Sequence, residues 1–243
     1  MAAAPTTDET NLFLSLTPEA VLDAVESGGI ACSNVCIALN SFENRVYDVT
    51  LDDGVRVIAK FYRPGRWSAA QILEEHQFLI DCAETEIPVC PVTPFPDGTT
   101  LKTVPGTGDR MFYSLFARCG GRAPEELSDE LVERLGMLAA RVHLAGAKRP
   151  APHRIHLDAD TLIRKNVDWL EAHHTIPEAF SATYCDAARA IATLTDSVMS
   201  GAKEQRIHGD LHLGNLVQRG EGLTLLDFDD FATGPPVQDL WLV

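Results

Sequence analysis

The stretch "RIHGDLHLGNLVQRGEGLTLLDFDD", residues 206–230, concentrates polar side chains between glycines and aliphatic residues. Asp210 stands five residues before Asn215, and Asp227 follows the next apolar run. Two short β-rich runs flank the turn "RGEG", so the chain is predicted to double back here as a hairpin. Such a hairpin would bring the Asn215 amide and the two carboxylates to one spot. The predicted strands are Asn215–Gln218 and Leu223–Leu226.

Carboxylate and amide oxygens in this arrangement suit Mg²⁺, which binds a few protein oxygens together with substrate phosphates. Asn215 and Asp227 are the predicted metal ligands, and Asp210 is left to orient an attacking hydroxyl. Phosphoryl transfer uses such an arrangement, because the protein mainly positions the reactants and neutralises charge. Protein kinases place His-x-Asp at the same interval before an Asn, and a metal-binding Asp after the following strand pair. Gly209 stands where the kinase loop has arginine, which argues against regulation through that arginine.

A kinase-like site also needs a lysine for the nucleotide phosphates from the third strand of its sheet. Lys60 ends the β-rich run "VIAK", in the second strand of a predicted hairpin. A helix capped by Ser68 should follow. Glu75 on the apolar side of that helix is the expected partner of the lysine, and Glu74 is the less favoured choice.

The loop that covers the phosphates should precede this hairpin, where "ALNSFENR" stands at residues 38–45. It lacks the glycines of the G-x-G-x-x-G pattern. Ser41 and Asn44 are expected to offer hydroxyl, amide and backbone donors to the nucleotide instead.

Four segments in this order resemble the aminoglycoside phosphotransferase and choline kinase-like superfamily, whose catalytic loop reads H-G-D-x-x-x-x-N. They are "LNSFENRVYDV", "KFYRPGRWSAAQILEEHQFL", "HGDLHLGN" and "DFDDFATGPPVQDLW". Within the superfamily they are similar to a bacterial group of stress-response serine/threonine protein kinases, from Ser33 to Val243. The resemblance implies ATP and Mg²⁺ as cofactors and a Ser- or Thr-bearing protein, the chain itself included, as substrate. For the reaction, the resemblance implies that Asp210 is the catalytic base, that Asp227 takes part in catalysis, and that Asn215 and Asp227 bind magnesium. For the nucleotide, it implies that Lys60 binds the phosphates and that Ser41 lies in the nucleotide loop. It also implies that the segment Phe116–Cys119, including Arg118, contacts the adenine.

The predicted fold is α+β and bilobal, of the protein-kinase-like type. The sheet-rich N-terminal lobe is assigned to residues 1–117 and the helix-rich lobe to residues 118–243, since the composition changes at "ARCGGRAPEE". Superfamily members continue for several helices beyond "QDLW", so a C-terminally truncated helical lobe is expected. The predicted elements are strands at Arg45–Leu51, Val55–Tyr62, Leu101–Thr103 and Met111–Phe116, and helices from Ser68 to near Glu84, from the cap Ser128, at Ala159–His173 and at Ser181–Ala202.

An alternative interpretation of the motif is a metallohydrolase site. His208, Asp210 and His212 form H-x-D-x-H, which on a strand would present three ligands on one face. This explains neither Asn215 nor Lys60, so His208 is interpreted as a structural residue that shapes the loop.

Four further polar residues receive structural interpretations. Asp229 and Asp230 are interpreted as surface acids rather than additional metal ligands. His143 is expected to be a hydrogen-bonded residue at the edge of a core helix, and Asp239 is a candidate for bracing the catalytic loop.

Two other functions remain open. One is a small-molecule kinase that acts on an aminoglycoside, choline or homoserine hydroxyl, because an acidic site would favour cationic acceptors. The other is a pseudokinase or binding module that holds nucleotide without transferring phosphate.

Composition excludes several classes of partner. The 35 Asp and Glu against 20 Lys and Arg give a formal charge of −15, which disfavours nucleic acid and anionic lipid. The start of the chain carries no basic and then apolar targeting pattern, and no long apolar run predicts a membrane span. A cytoplasmic monomer is expected. The six cysteines form no Cys-x-x-Cys pair and are predicted to be reduced thiols.

Overall fold

A computed structural model describes residues 12–126 and 128–241. Contacts divide the chain into two compact units. The first contains the chain through Leu135 and also Leu213–Asp229, and the second contains Gly136–His212 and the chain from Asp230 onward. A sheet dominates the first unit and helices the second, so the α+β prediction is confirmed. The units follow contacts in space rather than chain order, and the predicted lobe boundary after residue 117 stays a prediction.

The first unit is built on a six-stranded antiparallel sheet. The strands are β1 (Cys32–Leu39), β2 (Arg45–Leu51), β3 (Arg56–Phe61), β4 (Val92–Thr93), β5 (Lys102–Thr103) and β6 (Phe112–Ala117). Their order in the sheet is β1-β2-β3-β6-β4, and β5 pairs with β6. The hairpin predicted around "DDG" is present, because Gly54 adopts the left-handed conformation (φ +82°) that the turn requires.

One helix of the first unit precedes the sheet in the sequence, and another lies between β3 and β4. The first, α1 (Pro18–Ser27), was not predicted from the sequence, and it buries Val21 and Val25 in the same core cluster as the sheet residues Phe61 and Tyr113. Helix α2 (Ala69–Glu84) begins at the predicted cap. The Ser68 hydroxyl accepts from the Gln71 N–H, and the Gln71 side chain accepts from the Ser68 N–H, which is a complete capping box.

A second hairpin, β8 (Leu216–Arg219) and β9 (Gly222–Leu225), belongs to the first unit although it lies far along the chain. Backbone hydrogen bonds join it to distant segments, from the Leu225 N–H to the Pro88 carbonyl and between Gln218 and Arg122. The Phe228 ring meets Phe78 of α2 edge-on at 5.3 Å. These contacts hold the end of the hairpin beside the helix that carries Glu75.

The second unit is mainly helical. Helix α3 (Asp129–Gly146) begins in the first unit and continues into the second. It starts at the predicted cap, since the Leu131 N–H donates to the Ser128 hydroxyl at 3.2 Å. The predicted helix at 159–173 is a π-helical turn, Asp160–Arg164, that continues into α4 (Lys165–Ala172). The remaining elements of this unit are α5 (Glu178–Met199), β7 (Gln205–Ile207), β10 (Ala232–Gly234) and the 3₁₀ helix Pro236–Leu240. The first unit also contains the 3₁₀ helices Gly108–Arg110 and Leu213–Asn215.

The cysteine prediction is wrong for one pair. Cys90 and Cys119 form a disulfide with their Cα atoms 6.0 Å apart. They are 29 residues apart, and the pairing of β4 with β6 brings their segments together, which spacing alone could not predict. Cys32, Cys36, Cys82 and Cys185 are reduced thiols, as predicted.

Membrane-spanning helices were also considered. Across residues 12–126 and 128–241, every helix is too short or too polar to cross a membrane.

Candidate active site

Lys60 is the centre of a buried group of charges in the first unit. It lies on β3 between Val46 of β2 and Ser114 of β6, and its side chain is only 8% exposed. Its Nζ atom is 3.1 Å from Glu75 Oε1 and 3.0 Å from Asp227 Oδ1. Because β3 pairs with β2 on one side and β6 on the other, the backbone of Lys60 is held in the middle of the sheet. The position of the ammonium therefore does not depend on a flexible loop.

Helix α2 supplies the buried partner of this lysine. Glu75 is 1% exposed, and its second oxygen accepts from the Tyr62 hydroxyl at 3.3 Å. Burial by itself would lower the pKa of Lys60, but the carboxylates of Asp227, Asp229 and Glu75 raise it well above its ordinary value. The Lys60 ammonium therefore stays protonated at neutral pH.

Asn215 and Asp227 stand at the open end of the β8–β9 hairpin. The Leu226 N–H donates to the Asn215 carbonyl at 2.9 Å, so Asp227 is one residue from the pairing position of Asn215. Asp227 has a positive φ of 51°, which is uncommon outside glycine and recurs at functional sites. Its side chain is 48% exposed although one oxygen contacts Lys60. One carboxylate and one amide oxygen are the hard donors that Mg²⁺ uses beside phosphate and water, so this donor set fits that ion.

The interpretation of Asp229 as a surface acid is wrong. Asp229 is 2% exposed and contacts three groups of the first unit. Arg66 Nη1 lies 2.7 Å from Oδ2, Asn44 Nδ2 donates to the same oxygen at 3.1 Å, and Lys60 Nζ is 3.2 Å from Oδ1. Burial opposes ionisation, but Lys60, Arg66 and these hydrogen bonds outweigh it and lower the pKa of Asp229 to about 2.

Three other predicted nucleotide-binding residues occupy different surroundings. Ser41 is exposed in the turn between β1 and β2. Phe116 is buried on β6, and its ring centroid is 5.9 Å from Lys60 Nζ. Arg118 is exposed just after β6, and its Nε donates to Asp48 of β2 at 2.7 Å. Their roles toward a nucleotide stay predictions.

The predicted catalytic loop "HGD" lies in the second unit, where Asp239 braces it as expected. One Asp239 oxygen accepts from the His208 N–H at 2.9 Å, and the other accepts from the Gly209 N–H at 2.8 Å. His143 of α3 contacts Asp239 through Nε2 at 2.8 Å, so it is the bonded polar residue that was predicted. These bonds fix the backbone that carries the half-exposed Asp210 side chain.

The metallohydrolase alternative does not fit the geometry of this loop. His208 is fully buried, and its Nδ1 accepts from the Asp210 N–H at 3.3 Å. Among the described residues, no group of three or more His, Cys, Asp and Glu side chains is arranged to hold a metal ion. His208 instead shapes the loop, and His212 Nε2 lies 3.4 Å from an Asp210 oxygen.

Sequence reasoning missed Asp229 and Arg66 as members of the site. A signal for Asp229 was available, because "DFD" places a second acid two residues after the predicted metal ligand Asp227. Arg66 had no comparable local signal, since its role depends on an acid 163 residues away.

Comparisons with known proteins show the family of the chain. The model of a phosphotransferase enzyme family matches residues 35–243. Stress response kinase A of Escherichia coli K12 is 35% identical over 95% of this chain and 69% of that protein. Serine/threonine protein kinase RdoA of Salmonella typhimurium is 34% identical over 97% of this chain and 70% of that protein.

Solved structures share the fold. The amicoumacin kinase hAmiN, in complex with AMP-PNP, Ca²⁺ and Ami, has a TM-score of 0.77 at 20% identity, covering 98% of this chain and 71% of that one. A microcompartment-associated aminopropanol kinase has a TM-score of 0.72 at 23% identity, covering 92% of this chain and 73% of that one. The family match and the curated relatives together show that the chain belongs to the phosphotransferase enzyme family and is an ATP-dependent kinase.

Proposed function

We propose that the protein is a Mg²⁺-dependent serine/threonine protein kinase that transfers the γ-phosphate of ATP to a protein hydroxyl. The observation that carries this proposal is the buried Lys60 ammonium, held within 3.2 Å of three carboxylates, of which Asp227 is half-exposed. Lysine held by a helix acid and close to a metal-binding Asp is the arrangement that kinases use for nucleotide phosphates. The relatives named as stress response and serine/threonine kinases support a protein acceptor.

Each predicted residue then has a separate task. Lys60 neutralises charge on the nucleotide phosphates, and Glu75 keeps its ammonium in place. Asn215 and Asp227 would hold Mg²⁺, which when bound offsets the negative charge of the phosphates. Ser41, Phe116 and Arg118 contribute to nucleotide binding, through the loop before β2 and the segment after β6.

Asp210 orients the acceptor hydroxyl and accepts its proton. The new bond forms between the hydroxyl oxygen and the γ-phosphorus, the bond from that phosphorus to the bridging oxygen breaks, and ADP leaves. The Asp239 bonds to the His208 and Gly209 N–H groups keep the loop that carries Asp210 rigid.

A small-molecule acceptor is the second candidate. The structural neighbours named as amicoumacin kinase and aminopropanol kinase act on small molecules, and the charge of −15 suits cationic acceptors. Basic protein segments suit that charge equally well, so acceptor choice has to be measured.

The test is phosphate transfer from γ-labelled ATP with and without Mg²⁺, offered to a generic basic protein and separately to amino alcohols. We expect wild type to label the basic protein and Asp210→Asn to lose at least about a hundredfold of that rate, since general base catalysis contributes on this scale. Asp97→Asn, which changes an acid in an exposed pair with Lys102, is the matched control and should keep full activity.

Three outcomes would contradict the proposal. Labelling confined to amino alcohols identifies the small-molecule kinase. Nucleotide binding without turnover in both wild type and Asp210→Asn identifies a binding module. Equal rates with and without Mg²⁺ remove the role given to Asn215 and Asp227.

A further inference from the structure

The turn between β1 and β2, residues 40–44, is held by side chains rather than shaped by glycines. At its end, Glu43 Oε2 accepts from Arg63 Nη1 at 3.0 Å and lies 3.7 Å from Arg66 Nη1. The next residue, Asn44, is 4% exposed, and its Oδ1 accepts from the Arg63 N–H at 3.3 Å. The turn is therefore fastened to the segment "RPGR" that follows β3.

Asp229 is the buried anchor of these contacts. Its carboxylate is 2% exposed and accepts a hydrogen bond from Asn44 of the turn. It also forms ion pairs with Arg66 of the "RPGR" segment and with Lys60 of β3. An ionised carboxylate only accepts hydrogen bonds, and bonds to charged donors are the stronger kind. Three segments between residues 40 and 66 thus share one anion, which residue 229 supplies from far along the chain.

These contacts explain how residues 40–44 can hold a defined conformation without the glycines of a typical phosphate-binding loop. A glycine-rich loop covers phosphates with backbone N–H groups because it can approach them closely. A turn made of "NSFEN" cannot rely on that freedom, and its conformation has to be set before the ligand arrives. Groups that are ordered in advance lose less entropy on binding, so affinity depends on the contacts that order them.

We propose that Asp229 is a positioning residue for nucleotide binding, which sets the 40–44 turn and the Arg66 guanidinium relative to Lys60. Asp229 acts through Asn44, Arg66 and Lys60 and does not itself react. The inference rests on the proposed function, because it assumes that Lys60 and the turn meet the nucleotide phosphates.

The variant that tests it is Asp229→Asn, which keeps the size of the side chain and removes its charge. We measure the Kd of a fluorescent ATP analogue, with and without Mg²⁺, and the KM for ATP and kcat of wild type and variant. Kd and KM should rise at least about tenfold, the equivalent of roughly 1.4 kcal/mol, also without Mg²⁺. The fall in kcat should be smaller than the rise in KM.

Asp81→Asn is the matched control for the loss of a buried acid. Asp81 is 4% exposed on α2 and bonds Gln77 at 2.9 Å, so its loss should reduce thermal stability and leave Kd and KM unchanged. A general effect of destabilisation would raise Kd and KM in both variants and would overturn the proposal.

Arg66→Gln provides the second variant, and it serves alone if Asp229→Asn does not fold, since the Arg66 side chain is 20% exposed. It should raise Kd in the same direction. If both single variants fold, the Kd of the double variant should be no higher than that of the worse single variant, because the two residues share one contact. Kd and KM within twofold of wild type for the folded variant would overturn the role of Asp229. Wild type that binds no nucleotide and transfers no phosphate would instead refute the proposed function.

Discussion

Gly209 separates the two polar residues of the catalytic loop, His208 and Asp210, in a conformation that excludes other residue types. Its φ is +83°, and a Cβ at this position would lie 2.3 Å from the Asp230 carbonyl oxygen. The backbone of residue 230 lies there because β10 pairs with β7 just beyond it. The arginine found at this position in protein kinases could not be accommodated without moving that backbone.

Gly209→Ala should therefore disturb the loop far more than an ordinary glycine substitution. Gly54 is the matched control, since it has a φ of +82° and a Cβ added there would meet no atom within 4 Å. Gly54→Ala should lower the free energy of unfolding by only about 1 kcal/mol, the strain of a left-handed residue, and should retain activity. Gly209→Ala should lower the free energy of unfolding by more than this. It should also lower the phosphate-transfer rate by on the order of a hundredfold, because small misplacements of a catalytic group have effects of this size. Equal urea midpoints and equal rates for both variants would contradict this account.

At the scale of elements, α2 links local sequence to the site. Its apolar side, including Ile72, Phe78 and Leu79, is buried, and this orientation carries Glu75 inward to Lys60. The capping box at Ser68 sets where the helix begins and therefore which turn Glu75 occupies. The helix was predictable because both the cap and the apolar spacing are local signals.

Ser68→Ala should lower the free energy of unfolding by about 1 kcal/mol, because the Gln71 N–H loses its acceptor at the helix start. Urea unfolding of the purified protein measures the change. Thr17→Ala removes the corresponding acceptor at the start of α1, where the Ala20 N–H donates to the threonine hydroxyl, and should cost a similar amount. A Ser68→Ala variant as stable as wild type would show that the cap contributes nothing to α2.

At the scale of the whole molecule, buried titratable groups make stability depend on pH. His76 is buried beside Lys60, and it contacts the Tyr62 hydroxyl at 3.2 Å and the Thr100 hydroxyl at 2.8 Å. Burial, with the nearby Lys60 charge, lowers the pKa of His76 to about 3 from 6.5. Between these values the unfolded chain binds the extra proton and the folded chain does not. Stability is therefore present above pH 6.5 and is lost as the pH falls toward 3.

Wild type should lose about 1.4 kcal/mol of unfolding free energy per pH unit from this one group across that range. Asp229 acts in the same direction at lower pH, because its pKa falls from 3.8 to about 2 on folding. In His76→Gln this part of the slope should disappear, as measured by urea unfolding at a series of pH values. Substituting the exposed His174 by Gln serves as the control and should leave the slope intact. An unchanged slope in His76→Gln would refute this cause.

The sequence by itself determined the "DDG" hairpin and α2 with its cap, because each depends on turn chemistry or on periodicity within a few residues. The H-G-D-x-x-x-x-N motif and the pairing of Lys60 with Glu75 were predictable because their order and spacing match a known kinase pattern. Strands as short as β4, β7 and β10 carry too few residues for such a signal. Only the tertiary structure decided that Asp229 is buried against Arg66, that Cys90 bonds Cys119 and that residues 213–229 join the first unit. Those outcomes depend on contacts such as that of Asn44 with Asp229, 185 residues apart, which form only when the folded backbone brings the partners together.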